Sequence, residues 1–258
     1  MAQYALITGA SKGIGKCIAA EFAKRKINVL LVARSEGLLQ QQCLALQAAH
    51  DIKAYYMVAD LSRPGAPEQL LNWCTEKKFD VQALVNNAGY GLSGLFESYT
   101  AQQHTDMIQV NITALVQLTS LFLPLLKQQK KAYILNIASS AAYQAVPYLS
   151  AYSASKSFVL SFSRGLHYEL KRTNVSVTCI SPGATDTDFP NRANIGAKGK
   201  KAAEKLNMTP EAVAAQAVKA MYAGKTEVIT GFVNKLGAAL AWLAPKALTE
   251  KTAASIYE

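Results

Sequence analysis

The sequence is poor in the residues that build metal centres and disulfide frameworks. It contains four cysteines and three histidines among 258 residues. Cys17, Cys43, Cys74 and Cys179 lie far apart and form no Cys-x-x-Cys pair, which argues against both a disulfide scaffold and a zinc site. We therefore expect reduced, mostly buried thiols in a cytoplasmic protein, and no bound metal.

Long apolar runs are also missing. The apolar stretches are interrupted well before the roughly 20 residues of a membrane-spanning helix, so no transmembrane segment is predicted. The amino terminus runs directly into a strand and has no basic region followed by an apolar block, as a signal peptide would. Repeats and low-complexity tracts are absent, while half the residues are hydrophobic. These features predict one globular domain over residues 1–258.

Acidic residues are scarce relative to basic ones, and the net charge is +10. One basic cluster consists of Lys198, Lys200, Lys201 and Lys205. Such a cluster can be a solvated loop, or it can attract an anionic substrate, an acidic carrier protein, nucleic acid or an anionic membrane. Because no zinc-finger spacing, RNA-binding aromatic signature or basic heptad accompanies the charge, we expect no nucleic-acid partner.

Apolar runs of strand length alternate with segments of helical periodicity along the chain. This alternation predicts an α/β fold, a doubly wound parallel β-sheet with helices on both faces. The predicted strands are 4–8, 29–33, 54–59, 83–86, 132–138, 175–180 and 227–230. The predicted helices are 14–26, 36–49, 64–78, 100–129 with Pro124 as a possible break, 151–171 and 210–223.

A glycine-rich turn, Thr8 to Gly15, joins the first strand to the first helix. Gly9 allows the tight turn, Gly13 allows backbone to approach a pyrophosphate, and Gly15 allows the helix to pack on the strand. The helix amino terminus, with Ser11 and Ile14 in the same turn, attracts phosphate groups. The spacing is Gly-x-x-x-Gly-x-Gly, which differs from the more familiar Gly-x-Gly-x-x-Gly.

The end of the second strand indicates which nicotinamide dinucleotide binds. A carboxylate there holds the ribose 2′-hydroxyl of NAD, whereas a cation accommodates the 2′-phosphate of NADP. Here Arg34 follows the strand, Lys12 stands in the glycine turn, and no carboxylate is at hand. The sequence therefore predicts NADP(H).

Tyr152 and Lys156 lie four residues apart, on one face of a predicted helix. A lysine ammonium beside the phenol is expected to lower the tyrosine pKa, so that the hydroxyl can exchange a proton with a carbonyl or alcohol oxygen. Ser139, thirteen residues before Tyr152, would polarise the same oxygen. Its neighbour Ser140 is a possible partner.

In these motifs and their order, the chain resembles the short-chain dehydrogenase/reductase family over nearly its whole length. The resemblance implies that Asn111 supports a proton-relay water near Lys156, and that Lys156 also holds the nicotinamide ribose. It implies further cofactor contacts from Asp60, Leu61, Asn87, Ala88, Gly89, Pro182, Gly183, Thr185 and Thr187. It also implies a homodimer or homotetramer paired through the helices that begin near residues 100 and 151. One departure is Ala142, where the family usually has glycine, and Asn86 is expected to brace the sheet.

The expected reaction is NADPH-dependent reduction of a ketone or aldehyde, a small-molecule carbonyl that becomes an alcohol. Two alternatives stay open, a 3-oxoacyl thioester reductase that docks an acidic carrier, and a non-catalytic NADPH-binding sensor. Residues 185–207 are predicted to form a mobile substrate loop. The apolar tail 231–258 is predicted to pack on the body or a sister subunit, and an interfacial membrane helix or a partner surface stays open as the alternative. The candidate pocket residues are Tyr90, Leu92, Leu95, Tyr143, Val146, Tyr148 and Phe189.

Overall fold

A computed structural model describes residues 3–204 and 207–257. Its centre is a seven-stranded parallel sheet with strand order β3-β2-β1-β4-β5-β6-β7. The strands are β1 Gln3–Thr8, β2 Asn28–Ala33, β3 Ala54–Val58, β4 Asp80–Asn86, β5 Ala132–Ile137, β6 Val175–Ser181 and β7 Glu227–Ile229. The strand order reverses between β1 and β4, which makes the sheet doubly wound and confirms the predicted fold class.

Helices cover both faces of the sheet. The helices of the described residues are α1 Gly13–Lys24, α2 Glu36–His50, α3 Ala66–Glu76, α4 Ala101–Ile108, α5 Ala114–Lys127, α6 Ser150–Leu170, α7 Phe189–Arg192, α8 Ala197–Glu204, α9 Pro210–Tyr222, α10 Phe232–Leu243 and α11 Lys246–Tyr257. Helices α1, α2 and α9 bury their apolar sides against one face, and α3, α5 and α6 against the other.

Strand β2 shows why these strands read as continuous apolar runs. Val29 and Leu31 pack into the core on one face of the sheet, while Leu30 and Val32 pack into the core on the other. Successive side chains of a strand point to opposite faces, so a sheet covered on both sides needs an apolar residue at every position.

The predicted helix 100–129 is one helical stretch with an irregular centre. Helices α4 and α5 are joined by a π-helical turn, Gln109–Thr113. Exposed Pro124 lies within α5 and does not end it. The stretch Ala101–Lys127 has the length and hydropathy of a membrane span. Its residues Met107, Leu118 and Phe122 are nevertheless fully buried against the rest of the protein.

Two segments that lie outside the predicted strands and helices contain helices. The substrate loop 185–207 includes α7 and α8, and its Lys205 lies outside the described residues. The tail consists of α10 and α11, which are separated by Pro245. Helix α11 turns back onto α8 and packs beside the carboxyl-terminal edge of the sheet.

Candidate active site

The glycine turn is fastened to the end of β4. Asn87 donates through Nδ2 to the carbonyl oxygens of Thr8 and Gly9, at 2.9 and 3.1 Å. Thr8 Oγ1 donates to Val85 O and accepts from the backbone N–H groups of Asn87 and Ala88. Because the carboxyl ends of parallel strands meet at one edge, two distant motifs thus form a single structure.

The turn needs glycine for two separate reasons. Gly9 has φ +64°, and a Cβ there would lie 2.8 Å from Asn87 Nδ2 and 2.9 Å from Ala88 Cα. At Gly15, a Cβ would lie 2.4 Å from the Gly9 carbonyl oxygen. Both glycines therefore allow the turn to pack tightly against the end of β4. Helix α1 has no side-chain cap among the described residues, so its first backbone N–H groups can bind a phosphate group.

A cavity of about 570 Å³ extends from this turn to α6. It brings together most of the residues predicted for the site: Gly9, Ser11, Lys12, Gly13, Ile14, Arg34, Asp60, Leu61, Asn87, Ala88, Gly89, Ser139, Tyr152, Lys156, Pro182, Gly183, Thr185 and Thr187. Gly15 lies behind the turn, and Asn111 lies beneath the cavity wall. A glycine cradle, a helix amino terminus and an elongated cavity suit a dinucleotide.

Two cations, Arg34 and Arg63, lie near Asp60 at the end of the cavity at β2. Arg34 and Arg63 both act on Asp60, whose burial alone would raise its pKa. Two opposing effects are stronger: Ser62 donates hydrogen bonds to the carboxylate, and the positive charges of the two guanidinium groups stabilise its ionised form. The pKa of Asp60 is therefore lowered. Lys12 Nζ lies 3.5 Å from Asp188 Oδ2 and forms an ion pair with that carboxylate. Sequence reasoning missed Arg63, because no motif marks it.

Asn111 is held by the π-helical turn between α4 and α5 and is only 1% exposed. Its side-chain amide is hydrogen-bonded in both directions to the backbone of Tyr90, at 3.0 and 3.1 Å, and donates to Ser155 Oγ at 3.0 Å. It therefore fixes the segment after Gly89 against α6. The predicted role, support of a relay water, stays a prediction.

Tyr152 and Lys156 lie one turn apart on α6, and both are nearly fully buried. Lys156 Nζ donates to the carbonyl oxygen of Ile137 at 2.8 Å and lies 5.9 Å from the centroid of the Tyr152 ring. Burial lowers the pKa of Lys156 to about 8. A buried ammonium loses hydration, which disfavours its charged form.

The expected lowering of the Tyr152 pKa is not found. Burial raises the pKa of Tyr152 to about 12, although the nearby Ser139 hydroxyl opposes the shift. Residues that share a helix face need not direct their polar atoms at each other, and the Lys156 ammonium turns to Ile137 O instead. The phenol is consequently neutral near pH 7, which is the form that donates a proton.

Asn86 braces the sheet. Its Nδ2 donates to Asn136 Oδ1 on the neighbouring strand β5 and to Thr119 Oγ1 on α5. Asn136 in turn donates to Ser163 Oγ on α6. All four groups are buried, so this network ties two central strands to the helices that carry Asn111 and Tyr152.

The candidate pocket residues divide into two groups. Tyr90 and Phe189 line the cavity. The other five do not line it. Leu95 is exposed, Leu92 and Val146 pack in the cluster that holds Tyr152, and Tyr148 has φ +64°. The Tyr143 hydroxyl donates to the Glu227 carboxylate and accepts from Ser181 Oγ. Sequence reasoning missed Leu149, Pro190, Ile195 and Tyr257, which also line the cavity.

The fold and this constellation define a Rossmann-type α/β protein with a Tyr-x-x-x-Lys pair at the dinucleotide edge. A family model described as short chain dehydrogenase matches residues 3–198. The chain therefore belongs to the short-chain dehydrogenase family, and it is an oxidoreductase of the carbonyl/alcohol class.

Relatives from curated proteins and solved structures agree with this assignment. The ketoacyl reductase HetN of Nostoc is 32% identical over 226 residues, covering 87% of this chain and 77% of HetN. A very-long-chain 3-oxoacyl-CoA reductase of Anas platyrhynchos is 36% identical over 185 residues, covering 69% of this chain and 58% of that protein. The structure of a short-chain dehydrogenase from Sphingobium yanoikuyae in complex with NADPH superimposes with a TM-score of 0.81 at 30% identity, covering 94% and 95% of the two chains.

Proposed function

We propose that this protein reduces a ketone or aldehyde to an alcohol, with NADPH as the hydride source and Tyr152 as the proton donor. The observation that carries the proposal is the meeting of Ser139, Tyr152 and Lys156 in the cavity that begins at the glycine turn. The Sphingobium complex with NADPH supports the choice of cofactor.

Different residues of the cavity would bind different parts of the cofactor. The amino terminus of α1 would hold the pyrophosphate, Asp60 the adenine end, Arg34 the 2′-phosphate, and Thr185 with Thr187 the carboxamide. When bound, NADPH supplies the hydride. Lys156 lies beside Gly89, where a Cβ would be 3.3 Å from its Nζ, and would bind the ribose hydroxyls there.

The protein's own contribution is to orient the carbonyl oxygen and to protonate it. Ser139 and Tyr152 present two hydroxyls toward that oxygen, and these hydrogen bonds strengthen as negative charge develops. Tyr152 then gives up its proton. Because the Tyr152 pKa is raised to about 12, the phenol is protonated at neutral pH, which is the form that a proton donor needs.

The experiment is a single NADPH-oxidation assay with pooled ketones and aldehydes, run on the wild type, Tyr152→Phe and Tyr143→Phe. Positioned proton transfer contributes about 10²–10⁴-fold, so Tyr152→Phe should lose at least a hundredfold while still binding NADPH. Tyr143 does not line the cavity and serves as the matched control. Retention of more than about a tenth of the rate in Tyr152→Phe would show that another group is the acid.

A second candidate is reduction of a 3-oxoacyl thioester. Two relatives are named as ketoacyl or 3-oxoacyl-CoA reductases, and exposed Lys198 and Lys201 lie on α8 next to the cavity. Alanine at both positions should weaken binding of an acidic carrier-linked substrate, and salt should have the same effect. With a small neutral ketone the rate should not change. The third alternative, a non-catalytic sensor, predicts no turnover in either assay.

A further inference from the structure

The last helix returns to the cavity. Ala253 on α11 is 3% exposed and packs in one cluster with Tyr152, Leu149 and Met107. One turn further on, the Tyr257 side chain joins this cluster and lines the cavity wall. Residues 232–257 lie beyond the part of the chain that the family model matches.

Gly199 lies where the tail and the substrate loop meet. A Cβ at Gly199 would lie 3.4 Å from the carbonyl oxygen of Ile256 and 3.5 Å from Tyr257 Cδ1. Helix α8 and the end of α11 are therefore in close contact on the same side of the cavity. Ile195, two residues before α8, lines the cavity beside them.

Tyr257 places a second phenol in the cavity that holds the catalytic one, close enough to add to the effect of burial in raising the pKa of Tyr152. Its pKa is raised by burial, so its hydroxyl is protonated at neutral pH and can donate a hydrogen bond. The surrounding wall is largely apolar, with Leu149, Phe189 and Ile195. An apolar pocket with one added donor suits an apolar molecule that carries a polar group at a second position.

We propose that Tyr257 is a specificity-determining residue, whose ring forms part of the substrate wall and whose hydroxyl binds a second polar group of the substrate, distinct from the reacting carbonyl. The favoured substrates are bulky apolar ketones that carry a hydroxyl or carbonyl elsewhere. This proposal rests on the proposed reduction.

The test compares two cyclic ketones of equal size, one with and one without a distant hydroxyl, in the wild type, Tyr257→Phe and Tyr257→Ala. A neutral hydrogen bond contributes about 0.5–1.5 kcal/mol, so Tyr257→Phe should raise KM about 2–10-fold for the hydroxylated ketone only, with kcat preserved. Tyr257→Ala should also reduce the difference in KM between bulky and small ketones, because it removes the ring from the substrate wall. Exposed Tyr168 on α6 provides the control Tyr168→Phe.

Two failures are distinguishable. If none of the ketones supports NADPH oxidation by the wild type, the proposed function is wrong. If the wild type is active and both Tyr257 variants keep its KM values for both ketones, only the specificity role is wrong. Unchanged NADPH affinity, measured by fluorescence, shows that the variants leave the cofactor region intact.

An independent observation concerns the outer face of α10. Phe232, Leu236, Leu240 and Leu243 recur at helical spacing and are 79%, 52%, 55% and 72% exposed. The opposite side, with buried Ala241, rests on the body of the protein. Trp242 is 78% exposed at the margin of this apolar face. At 12 residues the helix is too short to span a bilayer.

The charged residues that α10 and its flanking sequence carry are positive. No acidic residue occurs between Glu227 and Glu250, whereas Lys235 and Lys246 are exposed. An apolar helix face bordered by lysine and tryptophan suits the surface of an anionic membrane. In a two-fold pairing of this face, the same lysines would approach one another. We infer that α10 docks the protein on anionic lipid.

Sedimentation with vesicles tests this inference. The wild type should bind vesicles of 30% phosphatidylglycerol in phosphatidylcholine, bind pure phosphatidylcholine less, and be released by salt. The variant Leu236→Ser/Leu240→Ser/Trp242→Ser should lose at least about tenfold in affinity, because each large apolar side chain contributes about 1.5–3 kcal/mol when buried. Leu44→Ser, exposed on α2, is the control. Absence of binding, or a triple variant that instead turns an oligomer into a monomer in light scattering, would overturn the inference.

Discussion

The cofactor preference can be tested at Arg34. The residue is exposed at the end of β2 and lines the cavity. Glu36, the nearest following carboxylate, accepts a hydrogen bond from Tyr56 and does not line the cavity. A hydrogen bond to a charged group contributes about 1.5–3 kcal/mol, and exposure places Arg34 near the lower figure. Arg34→Ala should therefore raise the Kd of NADPH about tenfold.

The Kd of NADH should change less than about twofold, since NADH lacks the 2′-phosphate that Arg34 would meet. Lys12→Ala should have a smaller effect of about threefold, because Lys12 shares its charge with Asp188. Both cofactors are titrated by fluorescence in low salt, with exposed Arg172→Ala as the control for net charge. Equal losses of NADH and NADPH affinity in Arg34→Ala would refute the assignment of the 2′-phosphate to this residue.

Three further outcomes are expected. Because burial lowers the pKa of Lys156 to about 8, the ammonium is lost as pH rises through that value. Reductive kcat/KM should then fall between about pH 7 and 9, and a flat profile would contradict the role of the charged form. Phe122→Ala removes a fully buried ring and should lower the free energy of unfolding by about 3–5 kcal/mol in urea titrations, whereas Leu44→Ala, at an exposed position, should cost less than about 0.5 kcal/mol. Light scattering at micromolar concentration should show the mass of a dimer or tetramer. Phe158→Glu, on the exposed side of α6, should shift this mass toward that of the monomer. A monomeric wild type would contradict the predicted pairing of subunits.

The fold was predictable because its signals are local. Each buried strand is a short apolar run, and each helix repeats its apolar positions every three or four residues. Strand β4 begins at Asp80, three residues before the predicted start, because polar Gln82 interrupts the apolar run. The motifs at Gly9, Asn87 and Thr185 meet because parallel strands end at one edge of the sheet.

The parts that could not be predicted depend on contacts between distant segments. Arg63 and Tyr257 carry no motif, and their places in the cavity follow from the packing of α3 and α11. The π-helical turn at Asn111 adds a residue to one turn of a helix, which periodicity alone does not reveal. The Tyr152 pKa depends on burial and on the direction of the Lys156 side chain, and neither is encoded in an i, i+4 spacing.

The bond between Thr8 and the end of β4 has a consequence for folding. Thr8 Oγ1 meets Asn87 and Ala88, which are 79 and 80 residues away along the chain. Closing so long a loop is entropically costly, and contacts of large sequence separation form slowly. The glycine turn therefore cannot acquire its final shape from residues 1–60 alone, even though β1, α1 and β2 lie within them. A chain still being synthesised should gain affinity for a dinucleotide only after β4 has emerged and entered the sheet beside β1.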